Sequence, residues 1–159
     1  MINFPNSLSY YSESGIKLVY GTKQSAGLDL PIWDERLTNG EWSEDGTLML
    51  WPMEQKTVKT GIYMQIPEGH YGHLDTRSST SKIRLDLLCH TIDSDYRGNI
   101  RLALINLNTE PVIIKNGQSL AQIIIKKHEQ PDLIELSSIE ELEQTERGDK
   151  GFGSTGRNL

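Results

Sequence analysis

Branched and aromatic residues gather along this chain in short segments, each closed by polar or glycine-containing turns. Lys17–Tyr20, Ala26–Leu30, Thr47–Trp51, Thr57–Gln65 and Tyr71–Asp75 are such segments in the first half. Leu85–Ile92, Asn99–Leu107, Val112–Lys115, Leu120–Lys126 and Leu133–Leu136 follow in the second. Asn39-Gly40, Asp45-Gly46, Pro67-Glu68-Gly69 and Asn116-Gly117 supply turns between them. Closely spaced strands punctuated in this way predict an all-β fold, a jelly-roll-like barrel or sandwich. One short helix is predicted over Ile139–Gln144, where Ser138 and Glu141 stand three apart as in a capping box. A second turn of helix is predicted to begin at Ser78. Asp34 to Pro52 is polar, holds Trp42 and Trp51 and carries two turn signals, which predicts a surface hairpin. The β domain is expected over 1–145 and a mobile glycine-rich arm over 146–159.

With 159 residues, 36% of them hydrophobic and 24% charged, the chain suits one soluble domain with its own core. No apolar run approaches the ~20 residues of a membrane span. Met1 to Tyr11 has no basic region leading into an apolar stretch, so no signal peptide is expected. The one cysteine, Cys89, excludes an internal disulfide and suits a reducing cytoplasm. Net charge is −6 without a basic stripe, which argues against nucleic-acid binding. A compact polyanion remains compatible, because a few arginines and a divalent cation offset charge locally.

Five clusters carry the candidate chemistry. The first is Ala26-Gly27-Leu28-Asp29-Leu30, where Asp29 is either a solvent-facing alternation or a group near a cation. The second is Arg77-Ser78-Ser79-Thr80-Ser81-Lys82. Hydroxyl residues cap helices and free N–H groups at a helix start attract anions, so this is either a capped turn or a phosphate cradle. In the third, Thr91-Ile92-Asp93-Ser94-Asp95-Tyr96-Arg97-Gly98-Asn99, Asp93 follows an apolar strand and suits a base that takes a proton from water. The plain alternative is a turn between strands. In the fourth, Asn116 to Ile125, Gln122 is an amide inside an apolar run and needs a partner, from backbone or ligand. The last, Arg147 to Gly156, joins an arginine fork, Phe152, Ser154 and Thr155 to hinging glycines. Phe152 offers a flat face for a base, and the segment reads either as a disordered tail or as an arm closing over a phosphorylated aromatic ligand. None of the four histidines shows a paired zinc spacing; His90 stands nearest the chemistry, and its simplest reading is a packed or backbone-bonded ring.

In this order the clusters resemble the five motifs of the trimeric dUTPase family, over about residues 24 to 156. The third and fifth motifs agree almost letter for letter. The resemblance implies a jelly-roll-like fold, a homotrimer with active sites between subunits, and hydrolysis of dUTP to dUMP and pyrophosphate with Mg²⁺ on the triphosphate. It implies that Asp93 activates the attacking water and that Gln122 lies near the α-phosphate and that water. Tyr96 would pack on deoxyribose. Arg77, Ser78 and Ser79 would meet phosphate, and Asp29 would support the metal through water. Arg147 would meet the γ-phosphate while Phe152 covers uracil beside Ser154 and Thr155. Base choice would fall to the hairpin around His90, Thr91 and Asn99, since uracil and cytosine exchange donor and acceptor there and a mismatch leaves buried polar groups unpaired.

Departures from the family pattern are Ser79 and His90 at positions where glycine is frequent, and Lys150 in place of an arm glycine. His90-Thr91-Ile92-Asp93 also resembles the dCTP deaminases, but Ala103 stands where those enzymes need a glutamate. A nucleotide-gated regulatory protein, contacting a protein partner through 34–52, is the other alternative.

Overall fold

The computed structural model of the protein describes residues 7–43 and 45–150. The chain divides into two units, Met1–Glu129 and Gln130–Leu159. Among the described residues the first carries eleven strands: β1 (Ser9–Ser12), β2 (Leu28–Pro31), β3 (Thr47–Leu50), β4 (Gln55–Lys59), β5 (Ile62–Gln65), β6 (His70–Thr76), β7 (Leu85–Leu87), β8 (Thr91–Ile92), β9 (Arg101–Asn106), β10 (Val112–Lys115) and β11 (Ser119–Lys127). The short helix α1 (Ser78–Lys82) follows β6. β2-β11-β6-β8 form one sheet, β4-β9-β7 a second, and β1-β5 and β10-β3 pair as ribbons. Every ladder among the described residues is antiparallel, from β11 on β6 and β2 to β9 on β4. Period-two alternation turns one face inward. β9 thus buries Leu102 and Leu104 and β11 buries Ala121 and Ile123, in a core shared with Leu30, Ile62 and Leu74.

Two predicted strands are broken, and the breaks shape the site. Thr57–Gln65 turns at Gly61, which takes φ +67°, a conformation glycine adopts without strain. β4 therefore pairs with β9 while β5 pairs with β1. Asn99, buried within the fold, fixes this break: its Oδ1 accepts the N–H groups of Thr60 and Gly61 at 3.2 and 3.3 Å. Leu85–Ile92 breaks as well, into β7 on β9 and β8 on β6. Its alternation ends after buried Leu87, and Leu88, Cys89 and His90 are all exposed. Lys17–Tyr20 forms no strand, and only Tyr20 bridges, to Leu28. β1 was hidden from pattern reading because its residues are nearly all exposed.

Asp34–Pro52 is tied into the domain more deeply than a surface hairpin. Asp34 is wholly buried, and its carboxylate accepts Arg36 Nε at 2.9 Å, Arg36 Nη2 at 2.6 Å and the Lys59 N–H at 2.9 Å. Burial opposes ionisation of that carboxyl, yet the Arg36 and backbone hydrogen bonds outweigh it and hold its pKa below the usual carboxylate value. The Arg36 guanidinium carbon lies 3.8 Å from the centroid of the half-buried Trp42 ring. β3 then pairs with β10 and buries Leu48 and Leu50, leaving Trp51 exposed.

In the second unit, the helix predicted over Ile139–Gln144 is a 3₁₀ turn, Ile139–Glu141. The Ser138 side chain makes no cap bond there. So short a segment has too few hydrogen bonds to offset helix nucleation. Leu133–Leu136 forms no strand. No helix among the described residues is long and apolar enough to cross a membrane.

Candidate active site

One group of predicted residues converges on β11. Gln122 pairs in register with Asp29 of β2 on one side and Asp75 of β6 on the other. Buried Ala121 and Ile123 flank it, so alternation turns Gln122 to the opposite, half-exposed face. Its Nε2 donates to the Thr76 carbonyl at 3.3 Å. Arg77 precedes α1; its Nε lies 3.0 Å from Asp29 Oδ1 and its Nη1 donates to the Ser119 carbonyl at 3.0 Å. Two anchors orient the guanidinium plane, which a single point charge would not achieve. Exposed Ser78 and Ser79 open α1 beside it, and Thr80 turns inward. The first, second and fourth clusters are thus one constellation, held by one sheet.

The second group lies in the loop between β8 and β9, which belong to different sheets. Asp93 is exposed, and its carbonyl accepts the Tyr96 N–H at 3.2 Å to close the turn. The Tyr96 hydroxyl donates to the Asn99 carbonyl at 3.0 Å, folding the ring back over its own loop. A Cβ on Gly98 would stand 2.5 Å from Tyr96 Cζ, so only glycine leaves room for that ring position. The Asn99 side chain is engaged with Thr60, Gly61 and, at 3.4 Å, Glu13 Oε2. It supports the loop from below. His90 is exposed and backbone-bonded: its Nδ1 lies 2.9 Å from the Leu74 carbonyl, which can only accept, so that nitrogen carries the proton. Its ring stacks on His73 at 5.9 Å, and its own carbonyl accepts the Leu74 N–H at 2.8 Å.

Within one chain these two groups do not meet. Thr91 and Ile92 pair with His73 and Gly72, whereas Gln122 pairs with Asp75. The stretch of β6 from Gly72 to Asp75 spans roughly 10 Å, and two strand spacings between β11 and β8 add about 10 Å across the sheet. A water bonded to Asp93 lies beyond hydrogen-bond reach of Gln122 in the same chain.

Arg147 belongs to the second unit, where its Nε donates to the Lys150 carbonyl at 3.0 Å. Phe152, Ser154 and Thr155 lie outside the described residues. Pattern reading passed over Gly98 as a support for Tyr96 and Asp75 as the neighbour of Gln122. Only strand register brings Asp75 to Gln122. Among the described residues no group of three or more His, Cys, Asp or Glu side chains is placed to hold a metal. Asp29 contributes a single carboxylate, with Oδ1 already on Arg77.

A family model described as dUTPase matches residues 14–156. The deoxyuridine 5'-triphosphate nucleotidohydrolase of Finegoldia magna is 38% identical over 140 residues, 86% of this chain and 89% of that protein. The protein of the same name from Caldanaerobacter subterraneus subsp. tengcongensis is 41% identical over 140 residues, 86% of each. Among solved structures, a G164S mutant of the Staphylococcus bacteriophage 80alpha dUTPase with dUpNHpp aligns with a TM-score of 0.76. It is 25% identical, over 96% of this chain and 99% of that one.

Proposed function

The chain belongs to the dUTPase family, has its all-β jelly-roll-like fold and hydrolyses dUTP to dUMP and pyrophosphate; from that premise we propose how its residues divide the work. Asp93 takes the proton from the water that attacks the α-phosphorus, and Gln122 orients that water and the phosphate. Arg77, with Ser78 and Ser79, holds the phosphate chain. Tyr96 packs on deoxyribose. The loop around His90 and Thr91, braced by Asn99, reads uracil. Arg147, Phe152, Ser154 and Thr155 close over the bound nucleotide and exclude other water.

The observation that carries this division is the separation of Asp93 from Gln122 within one subunit. Both are needed at one reacting centre, because in-line attack requires base, water and phosphate in contact. A homotrimer in which one subunit's loop faces the next subunit's Gln122 row satisfies that need. Exposure of Asp93 in the single chain is what such pooling requires.

Magnesium fits this donor set. Arg77 takes Oδ1 of Asp29 and leaves the second oxygen, which suits an ion that arrives on a triphosphate and keeps its waters. Asp29 would hold it through water, and the bound ion would neutralise phosphate oxygens. Deamination of dCTP has less support, since Ala103 in β9 offers no carboxylate where that reading needs one.

Subunit mixing tests the reading. Asp93→Asn and Gln122→Ala homotrimers are each expected to be impaired. Denatured together and refolded at equal ratio, they should regain activity at roughly a quarter of the sites, those pairing an intact Asp93 with an intact Gln122 across an interface. Activity no higher than the mean of the two parents would rule out shared sites.

A further inference from the structure

Gln122 has its amide defined on one side by a hydrogen bond and on the other by a missing side chain. Its Nε2 donates to the Thr76 carbonyl, so Oε1 points toward β2 and Gly27. Gly27 is buried, at the residue before β2. A Cβ built on it would stand 2.9 Å from Gln122 Cδ, 3.0 Å from Gln122 Cβ and closer still to Oε1. Its φ is not in the left-handed range, so backbone conformation does not call for glycine here. The three nearest atoms all belong to one side chain, that of Gln122.

We infer that Gly27 is a positioning residue for Gln122: its missing side chain is the space into which the Gln122 amide oxygen is placed. The assignment rests on the role given to Gln122 above. An added methyl group meets the Gln122 side chain: rotation about its bonds carries the amide away, while the 3.0 Å approach to Gln122 Cβ, which no rotation relieves, asks the strands to give by only a few tenths of an ångström. The Thr76 hydrogen bond, already long at 3.3 Å, is lost with it. A glutamine displaced by about 1 Å no longer holds water and phosphate in line, and misplacement on that scale costs on the order of 10²-fold in rate.

The test is a double-mutant cycle on the full-length protein with dUTP and Mg²⁺. Gly27→Ala should lower kcat about 10²-fold with KM and the thermal midpoint close to those of the unaltered protein. Added to Gln122→Ala, where the obstructed side chain is gone, the same change should alter kcat by less than about twofold. An equal loss in both backgrounds, a fully active Gly27→Ala enzyme, or a Gly27→Ala protein that fails to fold would each overturn the assignment. A second readout needs no turnover. The side-chain NH₂ signals of Gln122 in a ¹⁵N spectrum, assigned by their absence from Gln122→Ala, should move in Gly27→Ala while most backbone signals stay. Failure of the unaltered protein to cleave dUTP would remove the catalytic reading, and this spectrum would still decide whether Gly27 positions the amide; unmoved signals would refute that.

Discussion

Around Gln122 the polar side chains are tied to their own chain: Arg77 to Asp29 and the Ser119 carbonyl, the Gln122 amide to the Thr76 carbonyl. In the loop after β8 the scaffold is equally well tied, through Tyr96, Asn99 and the backbone of Thr60 and Gly61, but the Asp93 carboxylate stands exposed. Under the proposed roles, the first region is already held in place when a charged phosphate chain arrives, which limits reorganisation during reaction. The second presents a tied loop whose carboxylate looks outward. The difference teaches that one chain holds a set of polar side chains tied to one another and, apart from it, a carboxylate left open; the proposed roles make the first a phosphate-binding wall and the second a catalytic edge.

Asp93→Asn probes the proposed catalytic edge and should have the largest effect on turnover. It is expected to lower kcat about 10²–10⁴-fold, the usual contribution of a general base, while calorimetric affinity for dUpNHpp changes little. Retained turnover would dissolve the contrast between the two regions. Arg77→Lys probes the wall. Lysine keeps the charge but loses the fork that spans Asp29 and Ser119, so KM should rise about tenfold, roughly 1.4 kcal/mol of binding, with a smaller change in kcat. A larger loss in kcat than in affinity would move Arg77 from the wall to the reacting centre.

Asp34→Asn serves as the control, since Asp34 belongs to neither region, and kcat should be unchanged at 25 °C. Breaking its buried pairing with Arg36 should destabilise the fold by about 3 kcal/mol in urea titration. The sign of its pH dependence follows from a carboxyl whose folded pKa lies below the unfolded value. Its stabilising share is complete above about pH 4 and is lost as pH falls through the lower folded value. Acid unfolding of the unaltered protein should therefore lose this increment below about pH 4, and Asp34→Asn should lack it.

Short segments rich in branched residues, such as Asn99–Leu107 and Leu120–Lys126, closed by turns such as Asn116-Gly117, were enough to announce an all-β chain, because strand preference and turn chemistry are local. The five clusters were also legible, since their residue types are unusual for core strands and their order is written along the chain. Less of the local structure could be read at Ile139–Gln144, where a capping pattern stood on a segment too short to nucleate a helix. Thr57–Gln65 and Leu85–Ile92 each read as one strand, because the reasons for breaking them lie in distant residues: Asn99 beneath Gly61, and β6 beside Thr91.

What the chain alone determined is therefore the fold class, the chemical inventory and the family. Tertiary structure decided which members of that inventory share a wall. Strand register set Gln122 between Asp29 and Asp75, a long-range pairing that no local pattern encodes. The same register kept Asp93 away from Gln122, because hydrogen-bonded ladders fix distances across a sheet regardless of how near the motifs stand in sequence. The empty space at Gly27 acquired its meaning in the same way, from the side chain that register places over it.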